Sequence, residues 1–283
     1  MDINQRVRLK KRGKELMIML ALLPGVVMVF FPIYITVISA FKTAQESNTA
    51  FFAFPTSLFL DNFVSVIESN NYFLYIANTT VIMLVTITLE VIITPIAAYA
   101  IQRNINRKYF KFLYAFIVCG LFIPFQVRMV SLVQMTDKMG LMNRAGMVIL
   151  YLAGTSSQAI FLVVAYLKSV PGEIEEAAII DGCGPIQVYA RVVFPLIKPV
   201  ISTLVIKDSL FVWNDFMLPL VILNGDPNQW TLQLFQYNFK TQSYYNYNLA
   251  FASFLLSMLP IMILYVILQK NFVAGLANGA VKG

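Results

Sequence analysis

Six apolar runs separated by polar stretches make up most of the chain: about 16–41, 73–101, 112–133, 145–167, 199–223 and 249–269. Each can cross a bilayer core, which takes about 20 helical residues. Apolarity is continuous inside each run and does not alternate residue by residue, so the pattern predicts helices, not a barrel. Interruptions are few. Pro24 and Pro32 fall in the first run, Glu90 in the second and Arg128 near the far end of the third; the fifth carries Lys207, Asp208 and Asp215, and the fourth carries no charge. The predicted fold is an all-α integral membrane protein of six spans. No sizeable soluble domain is expected beside these spans, and no internal repeat is visible.

Lys and Arg divide unevenly between the two ends of these spans. One side collects 15 of them: Arg6, Arg8, Lys10, Lys11, Arg12, Lys14, Arg103, Arg107, Lys108, Lys111, Lys168, Arg191, Lys198, Lys270 and Lys282. The other side has four, Lys42, Lys138, Arg144 and Lys240. The positive-inside bias therefore predicts that both termini and the segment 168–198 are cytoplasmic. It divides the chain into a basic N-terminus at 1–15, a membrane domain at 16–270 and a short tail at 271–283. The basic start resembles the head of a secretory signal, but the apolar run behind it exceeds the 7–15 residues of a signal core, so a membrane anchor is expected.

Composition agrees: 59% of residues are hydrophobic and 12% charged, with a mean hydropathy of +0.72, against about 25% charged in ordinary soluble domains. The pI near 9.3 comes from basic residues at span ends, which is a topology signal and does not point to nucleic acid. There is no histidine, which excludes His-ligated metal sites and His acid–base chemistry. Cys119 and Cys183 are far apart and form no CxxC pair. No catalytic residues, metal ligands or cofactor site are expected in this chain.

One segment breaks the apolar pattern: Glu173 to Pro199, "EIEEAAIIDGCGPIQVYARVVFPLIKP". Residues 172–180 read as a short helix with three glutamates near its positive end. Gly182 suits a left-handed cap and Pro185 the first position of a second helix. Pro195 and Pro199 are expected to close that second helix and lead into the fifth span. The plain reading is an interfacial loop, but adjacent helices usually need only about 2–8 linking residues. An ordered segment of this length suggests a docking element.

Its spacing carries a family resemblance. Glu176-Ala177-Ala178, three residues, Gly182, nine residues, then Val192-Val193-Phe194-Pro195 resembles the EAA loop of binding-protein-dependent ABC importers. Val192 and Phe194 stand where that pattern has Ile and Leu. The surrounding residues resemble the carbohydrate branch, the inner-membrane subunit of maltose-type systems. Asn78, Ala97-Ala98-Tyr99-Ala100, Gly140-Leu141, Trp213-Asn214-Asp215-Phe216 and the tail "GLANGAVKG" are similar to that branch as well. The resemblance implies the type I importer permease fold in a bacterial cytoplasmic membrane, with a coupling helix between spans four and five. It implies a non-catalytic subunit moving a sugar or oligosaccharide inward by alternating access. It places Glu173, Glu176, Ala177, Ala178, Asp181, Gly182, Gly184, Pro185, Arg191 and Pro195 at a cytoplasmic ATPase. No GxxxxGK[ST] occurs, so ATP and Mg belong to partner subunits. The implied partners are an ATPase dimer, a second, different permease and an extracytoplasmic sugar-binding protein. The tail from Gly275 would reach into the ATPase dimer.

Charges inside spans face protein or water more often than lipid. Lys207 lies roughly 14 Å beyond Lys198 and Glu90 roughly 20 Å beyond Arg103 along their helices, so the two are at comparable depth. Glu90 or Asp208 is expected to neutralise Lys207. Trp213, Asn214, Asp215, Gln126, Arg128 and Lys207 are candidates for a sugar pathway, offering hydrogen-bonding groups beside an aromatic face. The alternative makes Trp213 an interfacial anchor and Asn214 an interhelical hydrogen bond. Tyr237, Tyr244, Tyr245 and Tyr247 either touch the binding protein or form an aromatic belt. A competing function is an ion-driven transporter coupled through Glu90, Lys207 and Asp208, although such folds usually show repeats and broken midplane helices. A membrane enzyme has no recognisable nucleophile–base pair to rest on.

Overall fold

The computed structural model describes residues 3–68, 71–242 and 247–280, with side chains outside the description at 1–13, 16, 238–246 and 268–283. Tyr244, Tyr245, the N-terminal side chains before Lys14 and those of the tail therefore fall outside the described residues. In chain order the helices are α1 (Ile3–Ala40), α2 (Ala44–Thr49), α3 (Asp61–Glu68), α4 (Tyr72–Arg103), α5 (Lys108–Cys119), α6 (Phe125–Lys138), α7 (Arg144–Leu167), α8 (Glu173–Ile180) and α9 (Pro185–Val188). They continue as α10 (Phe194–Asn214), α11 (Met217–Leu223), α12 (Leu232–Gln242) and α13 (Tyr247–Ala280). Among the described residues there is no strand. Among the described residues five helical segments are long and apolar enough to cross a membrane, and a sixth is reached only if a bent pair is one span.

That pair corrects the third expected span. The run 112–133 is not one helix: α5 passes through a 3-10 turn at Gly120–Phe122 and meets α6 at a bend of 105°. Pro124 is the cause. Its ring drives the preceding residue out of helical space, and Ile123 is extended at φ −91°, ψ 108°. Gln126 and Arg128 consequently ride on the second arm.

The fifth span is also corrected, at both ends. Pro195 and Pro199 do not close the helix that Pro185 opens, and the helical segment runs from Pro185 to Asn214. A π-turn at Tyr189–Val193 carries the chain past Pro195, with the Phe194 N–H donating to Tyr189 O, five residues back. The wider turn accommodates a proline ring that would otherwise collide with the carbonyl four residues before it. At the other end the helix breaks at Asp215, φ −71° and ψ 130°, before α11.

The chain divides into two compact units. One contains residues 1–70 and 239–258; the other contains 71–238 and 259–283. In the first, α1 exposes its apolar side chains throughout 17–33. Beyond it a polar knot folds the segment 42–68. Lys42 Nζ donates to Ala50 O (2.8 Å) and Phe51 O (3.0 Å), and Asn62 Nδ2 to Ala40 O and Lys42 O (2.9 and 2.8 Å). Asn248 Nδ2 donates to Ser39 O and Ser47 Oγ, both at 2.7 Å.

In the second unit α4 and α7 pack along their length and α10 packs against both. Ala98 and Ala159 are fully buried, and side chains this small let α4 and α7 approach closely. The core continues through Val163, Leu167, Val193 and Ile197 to Ala178 of α8 and Val188 of α9. The segment between α7 and α10 is thus built into the core at one face. At the far end of α4, Asn78 Nδ2 donates to Asn228 O (2.9 Å) and Trp230 O (3.0 Å), and Arg144 Nη1 donates to Asn78 Oδ1 (2.5 Å). Thr79 Oγ1 accepts from Leu232 N at 2.9 Å. These bonds tie the stretch 228–232 to α4.

Candidate functional site

Two places in the second unit gather the candidate residues. The first is a cavity of about 430 Å³, within the ~300–1,000 Å³ of ligand pockets. It forms where the two irregular helices face α7. The bend at Pro124 aims α6 at the cavity with Phe125, Gln126, Arg128, Leu132 and Met135. Tyr151 and Gly154 come from α7, and Phe211 and Asp215 from the broken end of α10. Asp215 organises the break. Its Oδ1 accepts from Met217 N at 3.0 Å, a local turn bond that stops the helix, and its Oδ2 accepts from Tyr151 Oη–H at 2.9 Å. Arg128 and Gln126 are exposed. An amide, a guanidinium, a carboxylate and a phenol thus stand among Phe125 and Phe211, which suits a solute with many hydroxyls and apolar C–H faces.

Three candidates fall elsewhere. Trp213 is 2% exposed and packs inside the protein, not on the cavity wall. Asn214 is exposed, with its amide donated to Leu210 O at 2.8 Å. Lys207 lies off the cavity: its Nζ is 2.7 Å from Asp208 Oδ1 and donates to Gln158 Oε1 at 2.7 Å. Asp208 and Glu90 are both buried; Glu90 Oε1 has no hydrogen-bond partner, and Asp208 is held only by its charge contact with Lys207. The ion pair is therefore Lys207–Asp208, with Glu90 within electrostatic reach of both and beside Thr155. Of the loop tyrosines, Tyr237 rings against Phe216 at 4.6 Å and Tyr247 is exposed.

The second place is the elbow of α8 and α9. Gly182 takes φ +86° after α8, where only glycine is unstrained, and Pro185 opens α9. Gly184 N donates to Gln187 Oε1 at 3.1 Å. Glu173, Glu176, Ala177, Asp181, Gly182, Pro185, Arg191 and Pro195 are exposed, and Gly184 is half-buried. Ala178 is different: it is buried in the protein's own core, so its small side chain fits α8 to the spans and does not face outward. The outward face is apolar, with Ile180 85% and Ile186 83% exposed beside Ile179.

Sequence reasoning missed the residues that hold this elbow. Glu175 is buried, and its Oε1 accepts from Arg103 Nε (2.8 Å) and from Arg103 Nη2. Tyr99 Oη donates to Glu175 Oε2 at 2.8 Å, and Arg103 Nη2 also reaches Val170 O at 3.4 Å. Helical phase held the signal. Glu175 and Ala178 are three apart on α8, and Tyr99 and Arg103 four apart on α4, so each pair shares a face.

Comparisons with known proteins agree with one another. Residues 90–278 match the family described as "Binding-protein-dependent transport system inner membrane component". The multiple sugar-binding transport system permease protein MsmG of Streptococcus mutans is 42% identical over 260 residues, covering 91% of this chain and 94% of that one. The melibiose/raffinose/stachyose import permease protein MelC of Bacillus subtilis is 32% identical over 256 residues, covering 90% and 92%. Among solved structures, a bacterial ABC transporter importing the acidic polysaccharide alginate is similar in fold, with a TM-score of 0.77 at 20% identity over 92% of this chain and 98% of that one.

Proposed function

The chain belongs to the family of binding-protein-dependent transport system inner membrane components, and from that premise we propose that it forms half of a sugar-conducting pathway driven by a separate ATPase. It is a permease of a sugar ABC importer, a multi-pass protein of the inner membrane. In the proposed mechanism the ATPase docks on the elbow of α8 and α9, and its closure moves the spans between inward- and outward-facing forms. A second permease supplies the other half of the pathway. A sugar-binding protein delivers the solute at the side opposite α8; a structure similar in fold was solved with a periplasmic protein carrying an alginate pentasaccharide. The solute passes the cavity at Arg128, Gln126 and Asp215. ATP and Mg are held by the ATPase, leaving this chain without catalytic work.

The observation that carries this reading is the two-sidedness of α8 and α9. Ala178 and Val188 are sealed into the core, while Ile179, Ile180 and Ile186 are left bare with Glu173 and Glu176 around them. An apolar patch rimmed by charge marks a protein or membrane contact, and the three carboxylates Glu173, Glu176 and Asp181 around this one favour a protein. The test is co-purification in detergent with uptake in proteoliposomes, wild type beside the double variant Glu176→Lys, Gly182→Arg. The ATPase is expected to accompany wild type and be lost from the variant, with uptake abolished. Wild-type uptake that needs no ATP and stops when an ion gradient is collapsed overturns the reading in favour of an ion-driven transporter.

A further inference from the structure

Docking alone does not move a span, because a helix that tilts freely on its hinge absorbs the motion it receives. Only two residues of α8 are buried, Glu175 and Ala178. Ala178 contributes a methyl group, whose burial is non-directional. Glu175 contributes three directed bonds: two from one guanidinium to Oε1 and one from a phenol to Oε2. The guanidinium converges on Oε1 while the phenol holds Oε2, so the two oxygens are held by two different groups and the carboxylate is fixed in orientation as well as distance. The same Arg103 reaches Val170 O in the turn that leads from α7 to α8. Arg103 is the last residue of α4, and Tyr99 lies one turn before it. The opposite end of that helix holds the stretch 228–232 through Asn78 and Thr79. Both ends of α4 are therefore fastened, one of them to the docking helix.

We propose that Tyr99, Arg103 and Glu175 form a rigid coupling clamp, which makes α8 and α4 move as one body. Glu175 and Arg103 are then positioning residues for transport, distinct from the exposed residues that would meet the ATPase. The inference rests on the docking reading above but can fail independently of it. If the clamp transmits motion, loosening it leaves the ATPase bound and hydrolysing while sugar uptake per ATP falls. Arg103→Lys keeps the charge but loses the fork geometry, so the clamp reading expects it to uncouple, whereas a merely electrostatic role expects no change.

The experiment uses the whole transporter in proteoliposomes, with ATP hydrolysis and sugar uptake measured on the same preparation. Glu175→Gln and Arg103→Lys are expected to co-purify with ATPase at the wild-type ratio and to lose uptake per ATP by about tenfold, within the ~5–150-fold range of site–site coupling. Tyr99→Phe, which removes one bond and keeps the ion pair, loses less. The paired variant Arg103→Cys, Glu175→Cys, with Cys119 and Cys183 replaced, is expected to regain coupling when bridged by a reversible bifunctional thiol reagent and to lose it again on reduction. Uptake and hydrolysis falling in proportion, an unaltered ratio in Arg103→Lys, or no recovery on bridging overturns the clamp. Loss of the ATPase from Glu175→Gln also overturns it, since the residue would then shape the docking face. A wild-type preparation that binds no ATPase sinks the docking reading instead.

Discussion

The ammonium of Lys207 has Asp208 Oδ1 and Gln158 Oε1 at 2.7 Å, while Glu90, buried at a neighbouring position, leaves Oε1 without a partner. The three residues therefore carry unequal weights. Asp208→Asn removes the counter-charge of Lys207, which is a third exposed and keeps its bond to Gln158, so it is expected to destabilise the protein by about 1 kcal/mol or less. Glu90→Gln removes a carboxylate that holds no ion pair, so its melting temperature in detergent should be unchanged or higher. Equal losses from the two would refute that ordering. A second contrast separates the cavity wall from the packing behind it. Arg128→Ala takes an exposed guanidinium from the cavity and is expected to lower sugar uptake with the melting temperature unchanged. Trp213→Ala empties a site that is 2% exposed and is expected to destabilise by about 3–5 kcal/mol. Residue type and position made Gln126, Arg128 and Asp215 legible as neighbours in depth. The inward turn of Trp213 was not legible, because a tryptophan beside Asn and Asp reads as pathway wall or as interfacial anchor, and burial makes it neither.

Proline ends one helix, at the break after Phe122, and is absorbed by another, which runs through Pro195. Both concern proline in an apolar run, and a hydropathy window averages over both. At Pro124 the preceding residue is forced extended and the helix ends. At Pro195 a π-turn takes up the ring and the helix survives. Nothing in the local sequence separates these cases, since whether a helix absorbs a proline is decided by the packing around it. Glycine was more readable. Gly182, at φ +86° with no atom within 4 Å of an added Cβ, should accept alanine at a backbone cost of about 1–2 kcal/mol. Gly146 is the opposite case: an added Cβ would lie 1.9 Å from Leu141 O, in the turn where Asn143 caps α7. Gly146→Ala is expected to displace that turn, giving markedly less folded protein by size-exclusion chromatography than Gly182→Ala. Comparable yields from the two would contradict this account.

For the molecule as a whole, direction across the membrane is read from the two ends of α4. The ends of α4 are chemically distinct. One end carries Arg103, the clamp on α8 and the basic residues Arg107, Lys108 and Lys111. The other carries Asn78 with Arg144 bonded to it. Arg144 also donates its N–H to Gln229 Oε1 at 3.1 Å. It is therefore occupied in holding the stretch 228–232, which explains a cation on the sparsely charged side without weakening the positive-inside argument. Orientation follows if one end of α4 is placed, because α8 must share the side of Arg103. Two exposed, uncharged positions report the two ends, Asn106 just beyond α4 and Met139 in the turn before α7. In a chain with Cys119 and Cys183 replaced, Met139→Cys is expected to react with an impermeant maleimide in intact cells. Asn106→Cys is expected to react only after permeabilisation. The reverse pattern would set α8 and its bare isoleucines outside, where no ATPase could reach them, and the family's mode of coupling would have to be abandoned for this chain.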